Sequence, residues 1–136
     1  MINNKKINTN ALAKNIFVNK LKEKGINYTK RGTNFIVNGK EINVRGCDIN
    51  NKWAQKTGPG WNRLNPKRFD YLVCITFEIK FDNIKCFIFS KEDVEKFPNV
   101  VWKNTPELIN IFINQTDDIL KHIIECSKNN WEKILK

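Results

Sequence analysis

The sequence predicts a domain of the α/β (α+β) class, with a central mixed β-sheet flanked by helices. Three observations predict it. Apolar residues recur at helical spacing between residues 9 and 24, and Gly25 follows as a stop signal. Short apolar runs flank Asn38 and Gly39, the strongest short-range signal for a β-hairpin. Residues 71–77 form a near-continuous apolar run, which is typical of a central buried strand.

The elements after the hairpin follow from local composition. Residues 46–68 are polar and contain glycine, so we expect a loop there. After the strand at 71–77, a turn at 82–83 leads into another strand at 85–89. Ser90 and Asp93 have the spacing of a capping box, which predicts the start of a short helix.

The C-terminal part is expected to be helical. Thr105 and Pro106 form a cap and a first-turn proline, which together predict a helix start. That helix is expected to carry the apolar residues Leu108, Ile111, Phe112, Ile119, Ile123 and Ile124. The chain of 136 residues suits one domain, with 1–94 as the core and 105–136 as a C-terminal helical segment.

Charge is distributed unevenly along the chain, which has a net charge of +10. Residues 1–68 hold 15 Lys and Arg against 3 Asp and Glu, whereas residues 69–136 hold 9 against 11. A compositional bias towards lysine would raise the charge of both halves. The asymmetry therefore favours a polyanionic partner such as nucleic acid.

Nothing in the composition predicts a membrane protein. Apolar runs stay shorter than a bilayer span, and the first ten residues are polar and lack an apolar signal core. We expect a cytoplasmic protein with no membrane partner.

The cysteines do not predict a zinc site. Cys47, Cys74, Cys86 and Cys126 form no CxxC pair, and His122, the sole histidine, is expected to lie in a helix without a partner at metal spacing. We expect Cys74 and Cys86 to be buried thiols, and His122 to be a packed or surface residue. No cofactor is expected on this basis.

The predicted hairpin has one polar face. A two-residue turn sets Asn34 opposite Asn43, and alternation adds Glu41 and Arg45 to the same face. The opposite face, expected to point into the core, carries Phe35, Val37, Ile42 and Val44.

Over roughly its first ninety residues the chain resembles the PD-(D/E)XK nuclease superfamily. Members run helix, hairpin, loop, buried strand and strand, and the hairpin carries a D…(D/E)-x-K motif. Here the hairpin reads NFIVNGKEINVR over residues 34–45, and GCDINNKW follows it at 46–53. The segments FDYLVCI at 69–75 and FIFSKEDV at 87–94 resemble the later strands and capped helix. The resemblance implies a restriction endonuclease-like fold and a DNA partner.

The motif positions depart from the family pattern. Asn34 and Asn43 stand where the family has the carboxylates that bind Mg²⁺, and Arg45 stands in place of the lysine. Lys14 lies near the place of a helix glutamate found in many relatives. An arginine can bind phosphate but is a poor proton donor or acceptor. The degenerate motif Asn34, Glu41, Asn43 and Arg45 therefore predicts a scaffold that binds DNA with impaired cleavage.

Two alternatives stay open. In the first, the chain is an active Mg²⁺-dependent DNA endonuclease in which Glu41, with Asp48 or Asp70, supplies relocated carboxylates. In the second, it is a protein-interaction or inhibitor module with a nuclease-like fold. By analogy with small relatives, a homodimer could form through the C-terminal helix.

The nucleic-acid surface, with double-stranded DNA as the expected partner, is predicted mainly in residues 52–68. This segment combines basic residues, two tryptophans and a Gly-Pro-Gly sequence. Basic side chains neutralise phosphates, and exposed aromatic rings stack on bases. Trp53 is expected to pack in the core, whereas stacking and packing are weighed equally for Trp61. The predicted contact residues are Lys30, Arg31, Lys52, Lys56, Trp61, Arg63, Lys67 and Arg68.

Overall fold

The computed structural model describes residues 8–78, 83–99 and 108–135, and of Lys52 and Trp53 only the backbone. The elements in this part of the chain are α1 (Thr9–Glu23), β1 (Thr29–Arg31), β2 (Asn34–Val37), β3 (Lys40–Asp48), α2 (Lys52–Thr57), β4 (Gly60–Leu64), a 3₁₀ turn (Pro66–Arg68), β5 (Tyr71–Glu78), β6 (Asn83–Ser90), α3 (Lys91–Glu95), β7 (Ile109–Phe112), α4 (Asp118–Ser127) and α5 (Glu132–Leu135). Among these helices none is long and apolar enough to cross a membrane.

A mixed five-stranded sheet forms the centre of the fold. Its order is β1-β2-β3-β5-β6; β3 and β5 run parallel, and the other neighbours are antiparallel. The predicted α+β class with a mixed, helix-flanked sheet is confirmed. The predicted hairpin register is also confirmed, with Phe35 opposite Ile42 and Ile36 opposite Glu41. Asn38 and Gly39 adopt the positive φ angles, 51° and 76°, that this turn requires.

One face of the sheet packs against α1 and α5. Phe17 and Leu21 of α1 are fully buried with Val44 and Ile75 of the sheet, and Ile134 of α5 joins the same cluster. The helix α1 comes unusually close to β3 at Gly46, where a Cβ would clash with the carbonyl oxygen of Thr9. This face contains the expected core residues of the hairpin.

The other face of the sheet is only partly covered. A small antiparallel sheet, β4 with β7, lies over it together with α3 and α4. Trp61 of β4 and Ile111 of β7 are buried against Phe87 and Phe89 of β6. This cover lies over the β5 and β6 side of the sheet, and polar residues of β2 and β3 on the same face remain at an open cleft.

Two predicted elements are wrong in part. Residues 46–68 do not form a loop, because β3 continues to Asp48 and is followed by α2, β4 and the 3₁₀ turn. The predicted helix is wrong at residues 109–112, which form β7; Ile109 and Ile111 are buried against β4. Among the described residues of this C-terminal segment, Asp118–Ser127 and Glu132–Leu135 are helical. The predicted start at Thr105 and Pro106 lies outside the described residues.

The predicted capping box at the start of α3 is confirmed. The Asp93 N–H donates to Ser90 Oγ at 3.1 Å, and the Ser90 N–H donates to Asp93 Oδ2 at 3.3 Å. Lys133 of α5 donates from Nζ to Asp93 Oδ2 at 3.0 Å and to the Ile88 carbonyl at 2.9 Å. The cap therefore also attaches the C-terminal helix to the sheet.

Candidate functional site

An open cleft of about 540 Å³ lies over the polar face of the hairpin. It brings together the four predicted motif residues Asn34, Glu41, Asn43 and Arg45. They share a face because β2 and β3 pair in the predicted register and side chains alternate along each strand. The cleft is also lined by residues from the 3₁₀ turn and from the starts of β5 and α3, which are Asn65, Lys67, Arg68, Phe69, Asp70 and Lys91.

A directed chain of hydrogen bonds connects the motif residues. Arg45 Nε donates to Asn43 Oδ1 at 2.8 Å, and Asn43 Nδ2 donates to Asn34 Oδ1 at 2.6 Å. Asn34 Nδ2 then donates to Glu41 Oε2 at 2.8 Å and to the Arg68 carbonyl oxygen at 2.9 Å. We call this series the amide relay. It runs from a cation to a carboxylate, so both asparagine side chains are fixed in orientation.

The hydrogen bonds of the amide relay affect whether a metal ion can bind at Asn34 and Asn43. Each asparagine oxygen already accepts a hydrogen bond, and neither side chain carries the negative charge that Mg²⁺ sites usually supply. The two asparagine side chains therefore form a neutral, hydrogen-bonded pair. Asn34 and Asn43 alone do not fit a Mg²⁺ site.

Arg45 is a cation without an ionic partner among the described residues. Its guanidinium makes the hydrogen bond to Asn43, but no carboxylate in the described part of the chain lies within ion-pair distance. Burial lowers the pKa of Arg45 from its ordinary value, and the nearby Cys74 thiol opposes this effect. Because arginine stays protonated at neutral pH, the cleft wall presents a partly desolvated positive charge.

Two carboxylates share the cleft. Asp70 Oδ2 accepts from the Glu41 backbone N–H at 2.8 Å, and the Asp70 N–H donates to the Glu41 carbonyl at 2.8 Å. Glu41 also forms an ion pair with Arg31 at 3.4 Å. The predicted alternative ligand Asp48 does not join them, because alternation along β3 puts it on the opposite side from Glu41 and it does not line the cleft. Glu41 and Asp70 are the pair that could hold a Mg²⁺ ion.

Basic side chains outnumber these carboxylates in the cleft. Arg31, Arg45, Lys67, Arg68 and Lys91 line it against Glu41 and Asp70, which leaves a net charge of +3. Lys91 was not predicted from the sequence. The pairing of Tyr71 with Ser90 puts Lys91 beside Asp70, whose carbonyl oxygen accepts from the Lys91 N–H at 2.9 Å.

The other predicted contact residues are spread more widely. Lys30 is exposed on β1 with its Nζ 5.8 Å from the centre of the Phe35 ring. Lys56 on α2 and Arg63 on β4 are exposed and do not line the cleft. The Lys52 side chain lies outside the described part of the chain. The cleft therefore unites Arg31, Lys67 and Arg68 from the predicted set.

Trp61 belongs to the core and not to a stacking surface. Its side chain is 3% exposed and packs edge-on against Phe87, with ring centroids 5.8 Å apart. The prediction that Trp61 stacks on bases is therefore corrected, since no ring face is available to a base. The indole Nε1 is buried without a hydrogen-bond partner in the described part of the chain.

The cleft can bind an anion through Arg45, which a hydrogen bond orients, and through the other basic side chains that line it, and it also contains two carboxylates. Such an arrangement suits phosphate recognition, because arginine forms paired hydrogen bonds to phosphate oxygens. No family model, curated protein or solved structure matches this chain.

Proposed function

We propose that this chain binds double-stranded DNA in the cleft and does not cleave it. The observation that carries the proposal is the unpaired Arg45 guanidinium at the wall of a cleft with a net charge of +3. A partly buried cation without a carboxylate partner destabilises the free protein, and a bound anion would offset that cost. A DNA phosphate supplies the missing negative charge.

We also propose that the scaffold is restriction endonuclease-like. The resemblance implies the order helix, hairpin, loop, buried strand and strand, and α1, the β2–β3 hairpin, β5 and β6 follow that order, with β1 added before the hairpin and with α2, β4 and the 3₁₀ turn in place of the loop. The parallel pairing of β3 with β5 brings Asp70 beside Glu41, close to the motif residues. With Asn34 and Asn43 in the amide relay, the proposed scaffold keeps a phosphate site and lacks the family's metal site.

The test is a mobility-shift and cleavage assay on labelled duplex DNA, with and without Mg²⁺ or Mn²⁺. We expect a shift without cleavage in every condition, and a steep loss of affinity as salt increases. The charge reversals Lys67→Glu and Arg68→Glu, made together, are expected to weaken binding by more than roughly tenfold.

The matched control reverses two charges away from the cleft. Lys22 and Lys24 are exposed at the C-terminal end of α1, which packs on the opposite face of the sheet. Lys22→Glu with Lys24→Glu makes the same change in net charge. Equal loss of affinity in both double variants would mean that charge alone, and not the cleft, attracts DNA. Absence of any salt-sensitive binding would overturn the proposal and favour a protein-interaction or inhibitor module.

One observation favours a second function, that of a Mg²⁺-dependent endonuclease. Glu41 and Asp70 lie together in the cleft, so the carboxylates that such a site requires are available. If this function is correct, the assay will show metal-dependent cleavage that Glu41→Ala and Asp70→Ala both abolish. DNA binding that persists without cleavage in either metal will exclude it.

A further inference from the structure

An exposed histidine and an exposed cysteine lie side by side on α4. His122 and Cys126 are one helical turn apart, and Cys126 Sγ lies 3.4 Å from His122 Nε2. Both side chains are exposed. The prediction that His122 has no partner at metal spacing is therefore wrong, because residues four apart on a helix share one face.

The separation of these two atoms suits a shared zinc ion. Zinc binds cysteine sulfur at about 2.3 Å and histidine nitrogen at about 2.0–2.1 Å in a tetrahedron. Two such ligands are then about 3.5 Å apart, from the same bond lengths and the tetrahedral angle. The observed 3.4 Å is close to that separation, but Sγ also lies 3.9 Å from Nδ1, so one of these exposed side chains must rotate before the sulfur and the Nε2 lone pair point at one ion. Thiolate and imidazole together select zinc over Mg²⁺ or Ca²⁺.

One chain supplies only half of such a site. Among the described residues, no group of three or more His, Cys, Asp or Glu side chains is arranged to hold a metal ion. The same side of α4 carries Ile119, whose side chain is 68% exposed. Ile119 precedes His122 by three residues and Cys126 by seven, so all three form one stripe along the helix.

We propose that two copies of this chain bind one Zn²⁺ ion between their α4 helices. Each copy contributes His122 Nε2 and Cys126 Sγ, which completes a Cys₂His₂ tetrahedron. A two-fold axis through the ion makes the contact self-complementary, and each Ile119 side chain becomes covered near the axis. This site is independent of the proposed DNA cleft and gives a specific form to the homodimer that analogy with small relatives allows.

The test uses Co²⁺ as a spectroscopic probe and then Zn²⁺ as a competitor, with full-length protein kept reduced by a phosphine. We expect thiolate-to-cobalt charge transfer and tetrahedral visible bands that saturate at one ion per two chains. Sedimentation should show the 16.0 kDa chain doubling in mass on addition of Zn²⁺ and returning to monomer with chelator. The reductant excludes a Cys126 disulfide as the cause of the dimer.

Variants of α4 assign the ligands. Mutating a residue that only hydrogen-bonds to a metal ligand weakens metal binding by roughly 10–100-fold. Removing a ligand itself, as in His122→Ala and Cys126→Ser, is therefore expected to weaken metal binding by at least that factor. Lys121→Ala, an exposed neighbour on the same helix, should leave metal binding and mass unchanged. Ile119→Glu should reduce dimerisation at a given Zn²⁺ concentration.

Two results would overturn the proposal. One is metal binding that is unaffected by His122→Ala and Cys126→Ser, which would assign it to other groups. The other is saturation at one ion per chain without any change in mass, which would show that a single copy completes the coordination with water. Because both measurements are made without DNA, failure here says nothing for or against the cleft.

Discussion

The side-chain amide of Asn43 donates to Oδ1 of Asn34 over 2.6 Å, across the two strands of the hairpin. Two carboxylates in these positions would repel each other and would need a cation between them. An amide pair needs none, because one side chain donates and the other accepts. Arg45 and Glu41 complete the two ends of the series. The site can therefore fold and stay ordered in the absence of a metal ion.

Asn34→Asp tests this dependence on the amide relay. The change removes the donor to Glu41 and to the Arg68 carbonyl and brings two carboxylates to hydrogen-bond distance. Both acceptors are partly buried, so losing the donor costs at most about 1–3 kcal/mol each, and we expect a lower melting temperature in EDTA. Mg²⁺ should restore part of that stability, because the new carboxylate and Glu41 can then share a cation.

Asn50→Asp is the matched control, since Asn50 is exposed in the turn after β3. Its melting temperature should be close to wild type and should not respond to Mg²⁺. Unchanged stability of Asn34→Asp in EDTA would show that the amide relay contributes little to the fold.

Trp61 provides a second prediction, which separates packing from base stacking. Trp61→Ala should destabilise the protein by about 3–5 kcal/mol, the usual range for a buried tryptophan. Trp61→Phe should cost less, because the Nε1 that it removes has no hydrogen-bond partner among the described residues. DNA affinity of the folded Trp61→Phe variant should equal that of wild type. If Trp61→Phe were as stable as wild type but bound DNA more weakly, Trp61 would be part of the binding surface.

The hairpin was predictable because its determinants are local. Asn38 and Gly39 specify the turn, the turn sets the register, and the register places Asn34, Asn43 and Arg45 on one face. Every step of that inference uses residues within a dozen positions of one another. The composition of the candidate site could therefore be predicted to a large extent from the sequence.

The strand β7 was not predictable in the same way. Leu108, Ile111 and Phe112 fit helical spacing, whereas Ile109 and Ile111 fit strand alternation, and a run this short fits both. Pairing with β4, about fifty residues earlier, decides between them. Lys91 was missed for a related reason, since it enters the cleft only through the pairing of β5 with β6.

Asp93 gives a third prediction, which concerns pH. Burial alone would raise the Asp93 pKa, but the hydrogen bond and charge of Lys133, with the Ser90 contacts, hold it below its ordinary value. A carboxylate with a depressed folded-state pKa stabilises the protein above its unfolded pKa of about 3.9. That contribution is lost as the pH falls through the lower, folded-state pKa.

Unfolding of wild type and Asp93→Asn should therefore be compared from pH 7 to pH 2.5. Wild type is expected to be more stable by roughly 1.5–3 kcal/mol near neutrality, the range for a hydrogen bond to a charged group. This difference in the free energy of unfolding between wild type and Asp93→Asn should become smaller below about pH 4. Glu95→Gln, an exposed neighbour on α3, should show a much smaller difference at neutral pH. A difference for Asp93→Asn that is constant across the range would contradict the role of Lys133.

Arg45 gives the last prediction, in which stability and binding should change in different directions. In free protein the guanidinium is desolvated without a carboxylate partner in the described part of the chain, which disfavours the folded state. Arg45→Met removes that charge and keeps much of the packing. It also removes the donor to Asn43 Oδ1. Because Asn43 is partly exposed, water can donate to that oxygen instead. We expect stability within about 1 kcal/mol of wild type, or higher.

DNA affinity of Arg45→Met should fall by roughly tenfold or more, because a hydrogen bond to a charged group contributes about 1.5–3 kcal/mol. The salt dependence of binding should decrease by about one phosphate contact. Lys22→Met removes one positive charge from the far side of the sheet. It should leave both the DNA affinity and the salt dependence of binding close to wild type. If Arg45→Met destabilises the protein strongly and leaves DNA affinity intact, then Arg45 is a structural residue and the cleft is not the phosphate site.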